Sequence, residues 1–401
     1  MFDGINYAHV IALYLYDTSL VGAIKKIAFS LLMRSSVTCL EGATEAPLFF
    51  FYSCRNKRRP DYDHIASWYR DAFGSRCKYV ESGEHLSPVQ PLRALALLPS
   101  SWRATREYRC GRLERLGVAL LIAKYRVAAE LLCPLLNGSL KLVTFCDAQP
   151  VENLMAQLAR ARGLRTYTNQ HGQYRILDQT NMSPDAEAYS NFVSDKLLCW
   201  GEATRKEFAK AGFDQDRLAV TGWIKRWGPK PIVHGGPRTG VFGVMLNGDN
   251  GSSSNIHLIR AAEALASSLD LQYVVRLHPW SLPKQYRPLV GERCIEINQF
   301  PLFQYLERAD FSLGHMSGAA IELLHIGSPV YLLEDGALAD VFRMPGLSYP
   351  DTEAIITAVV SDRDDEDGAR SRMRALATWY NDDRDQASRI EAVVFGARDS
   401  Q

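Results

Sequence analysis

The sequence predicts an α/β protein made of two parallel-sheet domains that face a central cleft. Three observations carry that expectation. At 401 residues the chain exceeds what one hydrophobic core usually organises. Short apolar runs alternate with amphipathic helical stretches along most of it. Residues 227–239 then place three prolines and three glycines in thirteen positions, which neither a helix nor a central strand tolerates. Strands separated by helices need crossover connections, and these put helices on both faces of a parallel sheet. Two such halves about a Pro/Gly hinge leave a crevice at the carboxyl ends of both sheets.

In chain order, residues 1–45 read as helical with mixed apolar faces. The run Ala46-Pro-Leu-Phe-Phe-Phe-Tyr52 suits a buried strand, since aromatic side chains pack well on a pleated surface. Residues 61–135 read as mostly helical, broken near Ser87-Pro88 and Pro99-Ser100-Ser101. From residue 140 the pattern sharpens. A strand at 140–145 precedes a helix at 150–162 with Leu154, Leu158 and Ala161 on one side and Gly163 as its C-cap. Strands at 165–169, 196–200 and 218–221 follow, with a helix at 203–211 among them. Beyond the linker, strands are expected at 240–246, 272–277, 294–297, 311–313 and 330–333, and helices at 255–268, 302–308 and 318–326. The expected domains are therefore 1–226 and 240–401, the second including the closing helices.

Composition excludes several classes. With 46 basic and 45 acidic residues the net charge is +1, so no overall field draws the chain to nucleic acid or an anionic membrane. Arg103, Arg106, Arg109, Arg112 and Arg115 recur every three residues; a solvated helix face is the plain reading, a membrane or acceptor contact the other. None of the eight cysteines is in a C-x-x-C spacing, so neither a zinc site nor a redox pair is expected. The apolar stretch 5–33 is interrupted by Asp17, Lys25 and Lys26, short of the roughly 20 residues of a span, and the start has no secretion-signal pattern. A cytoplasmic protein is expected, peripheral to the inner membrane at most. No P-loop and no strand-borne G-x-G-x-x-G occurs, and Asp214-Gln-Asp216 falls in a helix-to-strand turn. Neither a bound metal nor a cofactor is expected.

Candidate chemistry sits at three strand ends. In Asp310-Phe-Ser-Leu-Gly-His-Met-Ser-Gly-Ala-Ala-Ile-Glu322, the small residues Ser317, Gly318 and Ala319 open a helix. A diphosphate can approach the unpaired backbone N–H groups there, and Glu322, one turn in, suits ribose or sugar hydroxyls. An N-cap with tight helix packing explains the same residues without a ligand. In Tyr273-Val-Val-Arg-Leu-His-Pro-Trp280, Arg276 suits bidentate phosphate binding and His278 donation to a leaving phosphate. In Tyr167-Thr-Asn-Gln-His-Gly-Gln-Tyr174, His171 beside Gly172 reads as an uncrowded imidazole facing the cleft, able to deprotonate an acceptor hydroxyl. Asp147 is a reserve base whose simpler role is a helix N-cap. Asn247 and Gly248, in the turn after the second domain's first strand, offer backbone contacts to donor phosphates, with Ser254 as an alternative cap.

Gln-His171-Gly172, Arg276-Leu-His278-Pro279 and Asp310-Phe-Ser…Ser317-Gly-Ala-Ala-Ile-Glu322 occur in an order that resembles the CDP-glycerol glycerophosphotransferases and related bacterial capsule-polysaccharide glycosyltransferases. That resemblance, over about residues 140–335, implies a GT-B fold of two Rossmann-like domains. It implies His171 as base, His278 on donor phosphate and Ser317 at the diphosphate. Bacterial polysialyltransferases share a His-Pro and a serine motif, which keeps a CMP-sugar donor open. The family's T-D-Y-S-S is here Leu-Gly-His-Met-Ser-Gly, nearer to nucleotide-sugar transferases such as the lipid II-forming enzyme, which favours a sugar over glycerol phosphate. The expected function is transfer of a sugar from a nucleotide-activated donor to a glycan or lipid-linked glycan of the cell envelope, such as capsule or lipopolysaccharide. The alternatives are a polyol-phosphate transferase, a UDP-sugar 2-epimerase, and a non-catalytic nucleotide-sugar-binding partner in an assembly complex. An epimerase would be expected to show His-x-Glu-Ala-Gly where this chain has His171-Gly-Gln-Tyr174.

Overall fold

The computed structural model describes residues 4–43, 45–53, 60–136, 141–174, 191–224, 239–248, 252–279 and 281–396. Apart from Thr239, the expected linker lies outside the described residues. The first half runs α1 (Tyr7–Leu15), α2 (Leu20–Leu32), β1 (Met33–Glu41), β2 (Leu48–Ser53), α3 (Pro60–Phe73), β3 (Cys77–Leu86), α4 (Gln90–Ala104), α5 (Arg112–Leu132), β4 (Lys141–Thr144), α6 (Pro150–Ala161), β5 (Thr166–Asn169), β6 (Lys196–Cys199), α7 (Glu202–Lys210) and β7 (Leu218–Val220). Its sheet has the order β1-β3-β2-β4-β5-β6-β7, parallel except for β1, which pairs antiparallel with β3. The second half runs β8 (Val241–Met245), α8 (Ser252–Leu269), β9 (Gln272–Arg276), α9 (Pro283–Tyr286), β10 (Cys294–Asn298), α10 (Leu302–Leu306), β11 (Ser312–Gly314), α11 (Gly318–His325), β12 (Val330–Leu333), β13 (Ser348–Tyr349), α12 (Thr352–Asp364), α13 (Glu366–Tyr380) and α14 (Gln386–Phe395). Its six strands form an all-parallel sheet, β10-β9-β8-β11-β12-β13.

The central strands are apolar on both faces because helices cover both. In β2, Phe49 and Phe51 enter the core under α1, α5 and α6, whereas Leu48, Phe50 and Tyr52 enter the one under α3. All three phenylalanines are wholly buried. β9 repeats the arrangement, with Val274 on one side and Tyr273 and Val275 on the other.

The structure corrects four expectations. Residues 33–41 and 77–86 are strands, not helix; β1 owes its conformation to antiparallel pairing with β3, whose partners lie 38 (Glu41 to Tyr79) to 53 (Met33 to Leu86) residues away and are not revealed by local periodicity. α4 continues through Pro99, with Ser100 held from α5 by Arg126, whose Nη1 donates to its Oγ at 2.6 Å. The five arginines share no single helix face: Arg103 lies in the last turn of α4, Arg112 and Arg115 open α5, and the rest lie in the turn between. Finally, α14 belongs to the first domain's core, where Ile390, Val394 and Phe395 pack with Leu48, Phe50 and Val143.

That return crossing is tightly bonded. The Trp223 amide donates to the Asp382 carbonyl at 2.6 Å, and the Asp382 amide to the Trp200 carbonyl at 2.8 Å. The Tyr167 hydroxyl donates to the Val394 carbonyl at 3.2 Å. Trp223 stacks on His325 of α11, ring centroids 4.5 Å apart. The Asp382 carboxylate accepts from Arg384 and Arg389, each at 2.8 Å. Those hydrogen bonds, from Arg384 first, hold its carboxyl well below the usual carboxylate range against the opposing effect of burial. No helix among the described residues is long and apolar enough to cross a membrane.

Gly201, between β6 and α7, is where the crossing comes closest. A Cβ there would stand 2.6 Å from the Trp379 carbonyl oxygen and nearer still to that of Tyr380. Both obstacles are backbone, so relief requires α13 to move. Gly201→Ala is expected to lower stability by about 1–3 kcal/mol, read as a lower denaturation midpoint at unchanged denaturant slope.

Candidate functional site

In the second sheet, β8 is central, β9 and β10 lie to one side, and the chain then crosses to β11 on the other. This strand order reverses between β8 and β11, and open α/β sheets bind ligands outside the carboxyl ends of strands at such a point. The loops that meet there are Asn247-Gly248 after β8 and His315-Met316-Ser317 after β11.

Both loops are held by side chains. Asn255 of α8 clamps the first: its Oδ1 accepts from the Asn247 amide at 2.8 Å, and its Nδ2 donates to the Asn247 carbonyl at 3.1 Å. The Asn247 side chain then meets His315, with Nδ2 and Nδ1 3.2 Å apart. The other His315 nitrogen, Nε2, lies 2.7 Å from Asp335 Oδ1 at the end of β12. A carboxylate only accepts, so Nε2 carries hydrogen; in the neutral ring Nδ1 is then the acceptor for Asn247. His315 is wholly buried, and so is Asn247 Oδ1, which has no hydrogen-bond partner among the described residues. Such an orphaned carbonyl oxygen is a natural acceptor for a ligand N–H or hydroxyl.

Burial alone would raise the Asp335 carboxyl. The Ser254 hydrogen bond, the neighbouring His315 and the Ala337 amide outweigh it and hold the group below its ordinary value. Ser254 therefore braces Asp335 from within α8.

The helix start beyond His315 is open. Ser317 is the N-cap of α11 and its side chain makes no capping hydrogen bond. Gly318 is exposed, Ser317 and Ala319 partly so, and Ala320 is buried against the sheet. The first-turn N–H groups therefore face outward past little side-chain bulk. His278 lies over Gly248, its Nδ1 3.5 Å from where a Cβ would stand. Arg276 points to the α11 side of β9, where its Nε donates to the Phe300 carbonyl at 3.0 Å. Burial draws its guanidinium below the ordinary arginine range, with Tyr305 and Glu322 acting the other way. Arg276 and Glu322 thus share one electrostatic neighbourhood beneath the helix start.

The first domain supplies the facing wall. Gln170 staples the loop after β5, its Nε2 donating to the Gly172 carbonyl at 2.8 Å and its Oε1 accepting from the Trp200 amide at 2.7 Å. His171 is less exposed than the sequence suggested. It is only 6% accessible, enclosed by the rings of Phe145, Tyr62 and Tyr174 at centroid distances of 5.6, 5.8 and 6.0 Å. A Cβ on Gly172 would meet nothing within 4 Å, so the open side of the loop is there. Gln173 reaches across to the second domain. Its Cγ lies 3.8 Å from the Cβ position of Gly318, and its Nε2 donates to Asn381 Oδ1 at 2.5 Å.

Asp147 stands apart from this group. It is wholly buried, and its Oδ2 accepts from the Val193 and Ser194 amides at 3.0 and 2.7 Å. It fastens the loop before β6, while Gln149 takes the N-cap position of α6. Nearby Glu152, also wholly buried, joins the ends of β2 and β4: it accepts from the Ser53 amide at 2.8 Å and from the Cys146 amide. Burial pushes its carboxyl up to about 8 against those bonds. Among the described residues, no cluster of three or more His, Cys, Asp or Glu could hold a metal ion.

The sequence reading missed His315, Asp335, Asn255 and Gln173. His315 follows directly on β11 and Asp335 stands two residues beyond β12, and that position near strand ends was the available signal; their pairing across two loops was not.

No family model matches the sequence, and no curated protein matches it. Solved structures do. A candidate UDP-N-acetylglucosamine 2-epimerase from Listeria monocytogenes superposes with a TM-score of 0.51 at 14% identity, covering 86% of this chain and 95% of that one. The UDP-GlcNAc 2-epimerase of Neisseria meningitidis bound to UDP-GlcNAc gives 0.47 at 11%, covering 87% and 99%. A mutant O-GlcNAc transferase from Thermobaculum terrenum gives 0.48 at 14%, covering 96% and 76%. The first likeness shows a shared fold, and this chain has the GT-B architecture of two Rossmann-like domains about a cleft.

Because the Asp335 carboxyl is held down in the folded state, it contributes stability above the unfolded carboxylate value of about 3.9, and this is lost as pH falls through the lower folded value. Asp335→Asn is expected to cost about 1–3 kcal/mol near neutrality. Urea unfolding of both proteins should show the deficit narrowing as the pH drops below about 4.

Proposed function

We propose that this protein is a glycosyltransferase moving a sugar from a nucleotide-activated donor to a surface-polysaccharide acceptor, such as capsule or lipopolysaccharide, with inversion and without a metal ion. The observation that carries the reading is the meeting of two loops across the cleft. Gln173, two residues from His171, approaches the open start of α11, its Cγ 3.8 Å from where a Cβ on Gly318 would stand, and donates to Asn381 Oδ1 at 2.5 Å. An acceptor held against the first domain and a donor held by the second would therefore come together between them.

On this reading the donor phosphates lie against the N–H groups of Ser317, Gly318 and Ala319, where the helix dipole and unpaired donors favour negative charge. Asn247 and Gly248 border them, and His278 donates to the phosphate. Arg276 supplies positive potential from beneath, and Glu322 accepts from ribose or sugar hydroxyls. The acceptor hydroxyl gives its proton to His171 as its oxygen bonds to the anomeric carbon. The bond from that carbon to the donor phosphate oxygen breaks, and the electron pair leaves with the nucleotide, its charge met by the helix start and His278. The aromatic wall around His171 excludes water from the proton transfer.

Transfer is favoured over epimerisation by the state of two first-domain carboxylates. Asp147 and Glu152 are buried and bonded to backbone amides, so neither is placed to move a proton on a sugar carbon.

A thermal-shift series with CMP, CDP, UDP, GDP and dTDP identifies the nucleotide, because binding raises apparent stability with occupancy. With that donor and lysate glycans, His171→Ala should lower turnover by about 10²–10⁴-fold while nucleotide affinity stays nearly unchanged. His278→Ala should weaken both. Unchanged turnover in His171→Ala removes it as base. An acceptor-free epimer formed from UDP-GlcNAc replaces transfer with epimerisation, and phosphate carried into the product marks a polyol-phosphate transferase. Nucleotide binding with no turnover of any donor leaves a non-catalytic binding partner.

A further inference from the structure

The outer layer of the first domain turns an apolar surface outward. α2 and α4 pack side by side over α5, joined where the Ser87 amide donates to the Leu32 carbonyl at 2.9 Å and Gln90 Nε2 to the Ser30 carbonyl at 3.3 Å. Both helices bury small or polar residues: Gly22, Ala23, Lys26 and Ser30 on α2, and Gln90, Ala94 and Ser101 on α4. Their large apolar residues face out. Leu20, Val21 and Ile24 are 67, 59 and 54% exposed, and Leu92 and Leu95 are 72 and 50% exposed. This inverts the usual amphipathic arrangement. A single exposed leucine needs no explanation, but five large apolar residues on two adjoining helices do.

Positive charge borders that face. Arg103, Arg106, Arg109 and Arg112 are exposed around the turn from α4 to α5, with Glu107 the one acidic residue among them. Among the described residues none of the four makes an ion pair. The turn is fixed by Arg115, whose guanidinium lies 4.7 Å from the Trp102 ring centroid and whose Nε donates to Thr105 Oγ1 at 3.0 Å. The buried Lys26–Glu114 pair, at 2.5 Å, ties the start of α5 to α2. The arginine turn therefore stands beside the end of α2 that carries Leu20, Val21 and Ile24.

We propose that this surface docks on an anionic lipid bilayer. α2 and α4 lie in the interfacial plane, their leucines reaching the acyl boundary while the arginines of the turn meet headgroup phosphates. Charge complementarity selects this occupant over a second copy of the chain, since two arginine-rimmed faces brought together repel. The net charge of +1 contributes no general attraction, so binding rests on the local patch.

The test is co-sedimentation of the full chain with phosphatidylcholine vesicles, with and without phosphatidylglycerol, and it does not depend on any enzymatic readout. Retention is expected on the phosphatidylglycerol vesicles and should weaken as salt rises. Arg106→Ala/Arg109→Ala and Ile24→Ser/Leu92→Ser should each lower the partition coefficient roughly tenfold or more. Both alter exposed side chains, so circular dichroism and melting temperature should match the parent protein. Leu282→Ser, exposed on the second domain, should bind as the parent does. Equal retention on neutral vesicles, undiminished binding by the two patch variants, or a dimer that those variants dissolve would each overturn the proposal.

Discussion

The Trp223 amide bonded to the Asp382 carbonyl, with the Asp382 amide bonded to the Trp200 carbonyl, is the constraint on which the arrangement of the two sheets depends. It acts where the chain leaves the second domain and runs back to the first. The flanking contacts reinforce the same junction. Gly201 admits the α13 carbonyls, Trp223 stacks on His325, and Asn381 accepts from Gln173. A backbone junction of this kind is directional, and it is buried enough that leaving its donors unmet would be costly. It places the first domain's Gln170–Gln173 loop against the start of α11.

Within each domain, a polar clamp at the strand reversal does the equivalent work. In the second, Asn255 holds Asn247, Asn247 meets His315, and His315 meets Asp335. The loop after β8 with the start of α8, the loop after β11 and the end of β12 are thereby tied at one point. In the first, Glu152 takes the amides that end β2 and β4, and Asp147 takes those that lead into β6. The two clamps differ in a way that matters for chemistry. The first-domain carboxylates are bonded to backbone, so they hold loops. The second-domain clamp leaves Asn247 Oδ1 without a partner among the described residues and the first turn of α11 without a side-chain cap.

The alternation of strands and helices, the apolar cores of β2 and β9, and the small-residue opening of α11 were all legible in the sequence. Each is a local property, expressed as periodicity, β-propensity or absence of bulk within a few residues. The position of His278, Arg276 and Ser317 at strand ends followed from the same reading. What escaped it was pairing. β1 is a strand because β3 lies beside it, and α14 sits in the first domain because a crossing brings it there. His171 looked open because its neighbour is glycine, yet Tyr62, more than 100 residues earlier, helps to enclose it.

The sequence alone thus determined the fold class and the strand ends at which polar side chains gather, since the hydrophobic pattern dictates which segments must be buried and in what order. Only the tertiary structure decided which of those side chains meet. Asp147 became a fastening and His315 with Asp335 a buried pair, while the arginine run became the border of an apolar face rather than a helix stripe. The reason is physical. Hydrogen bonds and ion pairs act over a few ångströms, and proximity at that scale between distant segments is created by packing, not by spacing along the chain.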